Sequence, residues 1–221
     1  MKDPGYWIQN QVFSDSECEY ILETLSRNTV RRSRAGARNL MSFTAIREFA
    51  EDERLLRIGE EILGRRLVPF KATLFEKTGK ANWLVAFHQD TALPLQTAFD
   101  GEGWGPKSKK QGTTFVHAPT SALSQILAIR IQLDASTSFN GPLRVIPNSH
   151  HERLATDAQF DSVVNLENEV VCTTERGGII AMSPLLLHAS SKALTDDPRR
   201  VLHVEYAISL DIAPGIRLAI S

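Results

Sequence analysis

Hydrophobic and polar positions follow two different periodicities along the chain, and the change comes after residue 66. Before it, apolar residues recur every three or four positions in the segments that follow Ser14 and Asp52, which is typical of amphipathic helices. Ser14 and Glu17 have capping-box spacing, while Asp52 and Gly64 are residue types that begin and end helices. Residues 1–66 are therefore predicted to form a mainly helical N-terminal layer.

Short strands separated by Gly, Pro and Asn turn signals dominate residues 67–212. ILAIRIQLD (126–134) alternates clearly: one face carries Arg130, Gln132 and Asp134, and the other carries Leu127, Ile129, Ile131 and Leu133. Helices that precede the strands, instead of alternating with them, argue against a doubly wound α/β fold. The pattern predicts a mainly β protein with N-terminal helices, namely a double-stranded β-helix, or cupin-like jelly roll.

One long connection, residues 91–123, interrupts the predicted strands. It is rich in glycine around Trp104, and a loop of this length inside a domain is uncommon unless it has a function. We predict a lid-like insertion, with Trp104 over the substrate. The chain as a whole (1–221) is predicted to be a single domain whose jelly-roll core is formed by residues 67–212.

Composition narrows the classes of function. The chain has 221 residues, with 25 basic and 26 acidic side chains and a formal net charge of -1, so there is no electrostatic case for a nucleic-acid or anionic-membrane partner. Cys18 and Cys172 lie far apart, without disulfide-framework or metal spacing, and fit a reducing compartment. No signal-peptide pattern and no membrane-spanning stretch is apparent. We expect a cytoplasmic protein that acts on a small molecule, and the oligomeric state stays open.

The strand LVAFHQD (84–90) ends in two side chains that suit a metal ion. Residues i and i+2 of a strand point to the same side, so His88 and Asp90 share a face and Gln89 is turned away. Imidazole with carboxylate suits iron(II), and one more histidine from a distant strand would complete a facial triad with open coordination positions. By itself, such a pair is more often a surface or hydrogen-bonded contact than a pair of metal ligands.

His188 is the best candidate for the third ligand. It ends an apolar run that follows the Gly177-Gly178 turn, and Ser190 follows at i+2. The remaining histidines are assigned to a turn, to the long connection and to the middle of a strand; they are His150 and His151, His117, and His203.

Arg199 follows His188 after the turn-rich segment KALTDDP. This spacing predicts that the two strands are antiparallel neighbours in a hairpin, with both side chains facing one cavity. A guanidinium group binds a carboxylate through two hydrogen bonds, which suits a carboxylate ligand in a confined site. The alternative is a surface arginine near Asp196 and Asp197.

Together these features resemble the 2-oxoglutarate-dependent iron(II) oxygenases, and in particular the phytanoyl-CoA dioxygenase family. GPLRVIPNSH (141–150), LLLHASSKALTDDPRRVLHVEYA (185–207) and LFEKTGKANWLVAFHQD (74–90) are similar to three segments of that family, in the same order. AGARNL (35–40) resembles a motif of bacterial members. The resemblance extends from about Arg34 to the C-terminal strand and does not specify a substrate.

The resemblance implies a catalytic iron(II) centre held by His88, Asp90 and His188, with 2-oxoglutarate and dioxygen as co-substrates. Halogenating relatives lack the carboxylate ligand, so Asp90 favours hydroxylation of an unactivated C–H bond, with release of succinate and carbon dioxide. Nothing in the sequence indicates a coenzyme A site.

The resemblance also implies a binding site for the co-substrate. Arg199 would bind the distal carboxylate of 2-oxoglutarate and Ser190 would donate a hydroxyl to it. Lys77 falls near a lysine that contacts the co-substrate in some relatives.

Further polar residues are candidates for the substrate side, namely Trp104, Asn39 and His203. Arg130 and Glu205 are interpreted as a structural ion pair. Two alternative functions stay open at this point: a cupin-like metalloenzyme that does not use 2-oxoglutarate, and a non-catalytic protein of the same fold that binds metal or 2-oxoglutarate.

Overall fold

The three helix caps predicted in the N-terminal layer are all present in the computed structural model, which describes residues 1–28, 30–33, 36–78, 81–164 and 166–221. Glu17 N donates to Ser14 Oγ over 3.3 Å and Ser14 N donates to Glu17 Oε2 over 2.8 Å, which completes the capping box. Asp52 caps a later helix through Arg54 N, and Gly64 ends that helix at a φ of 71°. None of the helices in these ranges is long and apolar enough to span a bilayer.

The helices and strands have the following bounds. The helices are α1 (Asp15–Arg27), α2 (Thr44–Ala50), α3 (Glu53–Leu63), α4 (Thr120–Leu123) and α5 (Asp157–Val163), with short 3-10 turns at Leu40–Ser42 and Leu166–Asn168. The strands are β1 (Tyr6–Gln9), β2 (Arg32–Ser33), β3 (Gly36–Ala37), β4 (Val68–Lys77), β5 (Val85–His88), β6 (Ala92–Leu95), β7 (Lys107–Lys110), β8 (Thr113–His117), β9 (Ile126–Gln132), β10 (Leu143–Val145), β11 (Val170–Cys172), β12 (Ile179–Met182), β13 (His188–Ser190), β14 (Arg199–Ala207), β15 (Asp211–Ala213) and β16 (Ile216–Arg217).

Two antiparallel sheets build the predicted jelly roll. The larger sheet has the strand order β1-β12-β9-β14-β4-β3-β2, and the smaller sheet has the order β11-β10-β13-β5. Most neighbours in the two orders, such as β1 and β12 or β14 and β4, are far apart in sequence, as in a double-stranded β-helix. The mainly β fold with N-terminal helices is therefore confirmed.

The alternation predicted for β9 decides which face of the larger sheet meets the helices. Leu127, Ile129 and Ile131 pack in one buried cluster with helical residues such as Leu25 and Leu55. Burial of each such side chain contributes about 1.5–3 kcal/mol. The polar face of the same strand is thereby turned toward the interior between the two sheets.

The helical prediction for residues 1–66 is only partly correct. α1, α2 and α3 confirm it, but β1 forms the edge of the larger sheet, pairing Tyr6 with Met182. β2 and β3 extend the opposite edge as a short hairpin. Such short strands contain too few residues to show a periodicity, and they are stabilised by partners distant in the chain. Arg34 and Ala35, within the segment that resembles the family, lie outside the described residues.

The long connection at 91–123 is not an irregular loop. β6, β8 and β7 form a separate antiparallel sheet, and α4 follows it. Leu93, Leu95 and Val116 are buried in a second apolar cluster, which anchors this sheet to the body of the protein. The glycines between β6 and β7 favour a loop, so the sequence pattern does not indicate the strands on either side of them. A lid function for this insertion stays a prediction.

The predicted hairpin between His188 and Arg199 is wrong. β13 belongs to the smaller sheet and β14 to the larger one, so the intervening segment crosses from one sheet to the other. Arg199 nevertheless reaches the same cavity, because its guanidinium group approaches Ser190 Oγ to 3.4 Å across the interior.

Candidate active site

The strand that carries His88 and Asp90 is fixed from behind by Gln89. Gln89 is buried, and its amide donates to Leu185 O over 2.6 Å and accepts from Leu154 N over 2.8 Å. Asp90 N donates to Pro184 O over 2.8 Å. The residue between the two candidate ligands thus holds the strand end in place while its neighbours face the cavity, as the sequence predicts.

His88, Asp90 and His188 converge on one point. His88 and His188 are direct cross-strand partners in β5 and β13, and their ring centroids are 4.2 Å apart. Asp90 lies between them, with carboxylate oxygens 3.7 Å from His88 Nε2 and 3.5 Å from His188 Nε2. The three ligand atoms lie within 4.8 Å of one another, a spacing suitable for binding one metal ion.

The tautomers of both histidines leave the correct nitrogen free. His88 Nδ1 lies 2.9 Å from Ala86 O and His188 Nδ1 lies 2.8 Å from Leu186 O. A carbonyl oxygen can only accept a hydrogen bond, so each Nδ1 carries the proton and each Nε2 presents a lone pair. Carbonyl groups that orient metal-binding histidines in this way are common around metal centres.

The charge of Asp90 also fits a metal ligand. Burial raises the pKa of the Asp90 carboxyl, but His188 and His88, when they are protonated, outweigh that effect and hold the pKa well below its usual range. The group is therefore ionised at neutral pH. With a metal ion in place of any proton on the two Nε2 atoms, the neutral imidazoles and the carboxylate would form the facial donor set that suits iron(II).

A cavity of about 490 Å³, its mouth included, extends from these three residues to Arg199. Arg199 is the cross-strand partner of Lys77. Lys77 Nζ donates to Ser190 Oγ over 2.7 Å and also to Ser191 O, and Ser190 Oγ donates to Gly141 O over 2.8 Å. The structure thus brings Lys77, Ser190 and Arg199 together at the end of the cavity opposite Asp90.

Three buried basic residues around this cavity, Lys77, Arg130 and Arg199, form no ion pair with any residue that the structure describes. Burial, with repulsion from Arg199 and Arg130, lowers the pKa of Lys77 to about 7. Burial also lowers the pKa of Arg199 to about 9 and that of Arg130 to about 10, so both guanidinium groups stay charged at neutral pH. Among the described residues, the Nε atoms of Arg199 and Arg130 have no hydrogen-bond partner. Unmatched buried charge is costly, so the cavity is suited to an anionic ligand.

The predicted ion pair between Arg130 and Glu205 is wrong, because His203 lies between the two side chains. His203 Nδ1 is 3.2 Å from Arg130 Nη1, and His203 Nε2 is 3.2 Å from Glu205 Oε1. Glu205 instead pairs with Lys71, whose Nζ lies 2.5 Å from the same carboxylate oxygen. The polar face of the larger sheet is therefore a connected chain of buried charges, and His203 forms part of a second cavity.

Two predicted substrate residues lie away from the candidate metal ligands. Trp104 packs edge-on against Phe99 at 5.7 Å between ring centroids and, among the described lining residues, contributes to neither cavity. Asn39 donates from Nδ2 to Gln111 Oε1 over 3.3 Å, which joins the N-terminal layer to the turn between β7 and β8.

Sequence reasoning missed several residues of the two cavities, although part of the signal was present. Lys71, Thr73, Phe75 and Lys77 occupy alternate positions of β4 and all face a cavity. Of these four, only Lys77 is among the candidates that the sequence provides. Arg38, Lys110 and His117 belong to loops or hairpins in which no periodicity shows where a side chain points.

The sequence profile of the phytanoyl-CoA dioxygenase (PhyH) family matches residues 1–201. The chain belongs to the phytanoyl-CoA dioxygenase family. The resemblance found in three segments of the sequence is thereby confirmed over most of the chain. Curated proteins of known function give no match.

Solved structures share the fold of this phytanoyl-CoA dioxygenase family protein. EctD from S. alaskensis with 2-oxoglutarate and 5-hydroxyectoine has a TM-score of 0.69 at 17% identity, covering 92% of this chain and 72% of its own. HygX from Streptomyces hygroscopicus, with nickel and 2-oxoglutarate bound, has a TM-score of 0.66 at 16% identity, covering 92% and 83%. AviO1 from Streptomyces viridochromogenes has a TM-score of 0.66 at 18% identity, covering 93% and 90%.

Proposed function

We propose that the protein is an iron(II)- and 2-oxoglutarate-dependent dioxygenase that hydroxylates a C–H bond of a small organic substrate. One observation carries the proposal. The facial set of His88, Asp90 and His188 opens into a cavity whose far end holds two buried basic side chains, Lys77 and Arg199, and the hydroxyl of Ser190. A metal-chelating dianion such as 2-oxoglutarate suits both ends of the cavity, because one end of the ligand can chelate the metal ion while its distal carboxylate contacts the basic side chains.

The donor set fits iron(II), which His88, Asp90 and His188 would hold through two Nε2 atoms and one carboxylate oxygen. When bound there, iron(II) supplies the oxygen chemistry, in which 2-oxoglutarate and dioxygen give succinate and carbon dioxide while one oxygen atom enters the substrate. The solved EctD and HygX structures that contain 2-oxoglutarate, the latter with nickel, support this assignment. Asp90 supports hydroxylation, since it fills a position that halogenating members need for chloride.

The co-substrate would be positioned by the residues at the far end of the cavity. Arg199 offers two parallel N–H donors to the distal carboxylate of 2-oxoglutarate, with Ser190 Oγ beside it. Lys77 would add a third cationic contact. Arg130 lowers the pKa of both Lys77 and Arg199 by repulsion, which shows that its charge adds to the positive potential of the cavity. These groups orient the ligand and keep water away from the reacting atoms.

The proposal is tested by adding iron(II) and then 2-oxoglutarate to the protein without oxygen. We expect a weak visible charge-transfer band that needs both additions. Admission of oxygen should then release succinate, slowly without substrate and faster with a correct one. A metal-bound protein without band or succinate would favour a cupin-like enzyme that does not use 2-oxoglutarate. A band without succinate, over a broad set of candidate substrates, would favour a non-catalytic binding protein.

Affinity for 2-oxoglutarate is expected to fall as the pH rises above about 7. In the empty protein the pKa of Lys77 is lowered to about 7, chiefly by burial, so the side chain is protonated below that pH and increasingly neutral above it. A bound dianion favours the protonated form. Binding above about pH 7 must therefore take up a proton, and the affinity falls by up to about tenfold per pH unit.

Calorimetric titration in two buffers of different ionisation enthalpy measures both the affinity and the proton uptake. Lys77→Met should bind 2-oxoglutarate more weakly below about pH 7, with a flatter pH dependence above it. Lys109→Met, which replaces an exposed lysine of β7, is the control and should follow the wild type. A wild-type affinity that does not change with pH would show that Lys77 is not in contact with the ligand.

A further inference from the structure

A second cavity, of about 930 Å³ with its mouth included, adjoins the candidate metal centre from the other side. It shares Phe75, His88 and Asp90 with the first cavity. If 2-oxoglutarate occupies the first cavity, the second is the remaining approach to the metal centre. Its side chains therefore indicate the chemistry of the substrate.

The buried charges of the second cavity are already paired with one another. Lys71 Nζ lies 2.5 Å from Glu205 Oε1, and Glu205 also accepts from the imidazole of His203. Thr91 Oγ1 lies 2.6 Å from His117 Nδ1. These contacts leave the floor of the cavity polar but without an unmatched charge.

Arg38 and Lys110 at the rim are different, because neither has an ion-pair partner in the ranges that the structure describes. Both side chains line the cavity and both are exposed. Lys110 Nζ lies 5.2 Å from the centre of the Phe115 ring, and Lys71 Nζ lies 5.7 Å from the same ring. Burial lowers the pKa of Lys110, and repulsion from Arg38 and Lys71 lowers it further. Like charges thus meet at one edge of the cavity.

These two cations belong to different parts of the chain. Arg38 follows β3 in the N-terminal layer, and Lys110 ends β7 in the inserted sheet. The neighbouring Asn39 and Gln111 join the same two segments through their 3.3 Å hydrogen bond. An anion held between Arg38 and Lys110 would bridge both segments and keep the inserted hairpin against the N-terminal layer. Two unrelated surface cations would not lie on segments that a hydrogen bond already joins beside them.

We propose that the substrate carries an anionic group, a carboxylate or a phosphate, that binds between Arg38 and Lys110. This inference rests on the proposed function, because it takes the second cavity as the substrate side of the metal centre. Phe75 and Phe115 offer apolar contact to the rest of the substrate, and the C–H bond to be oxidised would face His88 and Asp90. The AGARNL segment thereby gains a role, as Arg38 binds the anion and Asn39 positions the hairpin.

Calorimetry on the full chain, loaded with nickel(II) and 2-oxoglutarate, tests the proposal. The probes are benzoate and phenyl phosphate, with benzamide as the neutral match for benzoate. We expect one or both anions to bind and benzamide to bind at least about tenfold more weakly. Stronger binding of benzoate would identify a carboxylate substrate, and stronger binding of phenyl phosphate a phosphorylated one.

Variants locate the anion. Arg38→Gln and Lys110→Gln should each weaken binding of the preferred anion by about tenfold, and the double variant by about a hundredfold. Lys109→Gln is the matched control, because adjacent residues of a strand point to opposite faces. Equal binding of benzoate and benzamide, or anion binding that both substitutions leave unchanged, would overturn the proposal.

The charge-transfer band of the iron(II) and 2-oxoglutarate complex should be the same in the double variant and the wild type. If neither the wild type nor the double variant shows this band, the result contradicts the proposed function and not the anion site.

Discussion

The His88→Ala, Asp90→Ala double variant is expected to lose the visible charge-transfer band with iron(II) and 2-oxoglutarate, and to lose succinate formation with it. Two of the three ligand atoms that lie within 4.8 Å of one another are removed. Loss of an outer hydrogen-bonding partner alone costs about 10- to 100-fold in metal affinity, so loss of two direct ligands should exceed about 100-fold. Anaerobic titration followed by absorbance measures the change.

Two controls make that result specific. His151→Ala removes an exposed histidine that does not line the cavity and should leave the band unchanged. Thermal unfolding of the double variant should stay close to that of the wild type, because neither His88 nor Asp90 belongs to a buried apolar cluster. A double variant that keeps the band would disprove the assignment of these ligands.

Arg199→Met should weaken 2-oxoglutarate binding strongly while leaving metal binding alone intact. Arg199 is 3% exposed and its Nε has no partner among the described residues, so it offers its donors to a ligand. Removal of one partner from a buried, hydrogen-bonded charge pair costs about 2–5 kcal/mol, which corresponds to an increase of about 30-fold to more than 1,000-fold in the KM for 2-oxoglutarate.

Arg200 supplies the matched control for this experiment. It is the next residue of β14, points to the opposite face and pairs with Asp134 at 2.6 Å. Arg200→Met should therefore keep the wild-type KM for 2-oxoglutarate. An Arg199→Met enzyme with unchanged KM and turnover would favour the cupin-like alternative, in which this arginine is dispensable.

The basic side chains that line the first cavity also affect the stability of the fold. Lys77, Arg199 and Arg130 are all buried, and burial is the main cause of their lowered pKa values. Desolvation of these side chains therefore costs folding free energy, which only Arg130 partly recovers through its attraction to Asp90. Arrangements of this kind are common at binding sites, where the ligand supplies the missing charge. The melting temperature should consequently rise on addition of 2-oxoglutarate, and less so in Arg199→Met.

The sequence by itself determined what depends on neighbours along the chain. The capping box at Ser14, the helix end at Gly64 and the two faces of β9 all follow from spacings of a few residues. The shared face of His88 and Asp90 follows from the two-residue period of a strand in the same way. The order of the motifs then predicted the family, and with it the candidate ligands.

Only the tertiary structure decided which distant segments meet. It placed His188 and Arg199 in opposite sheets and paired β1 with β12. It also formed the ion pair between Glu205 and Lys71 and put His203 between Glu205 and Arg130. It also brought Arg38 and Lys110 to one rim. Hydrogen bonding and charge pairing depend on proximity in space, and proximity between segments so far apart in the chain is set by packing of the whole core, which no local pattern records.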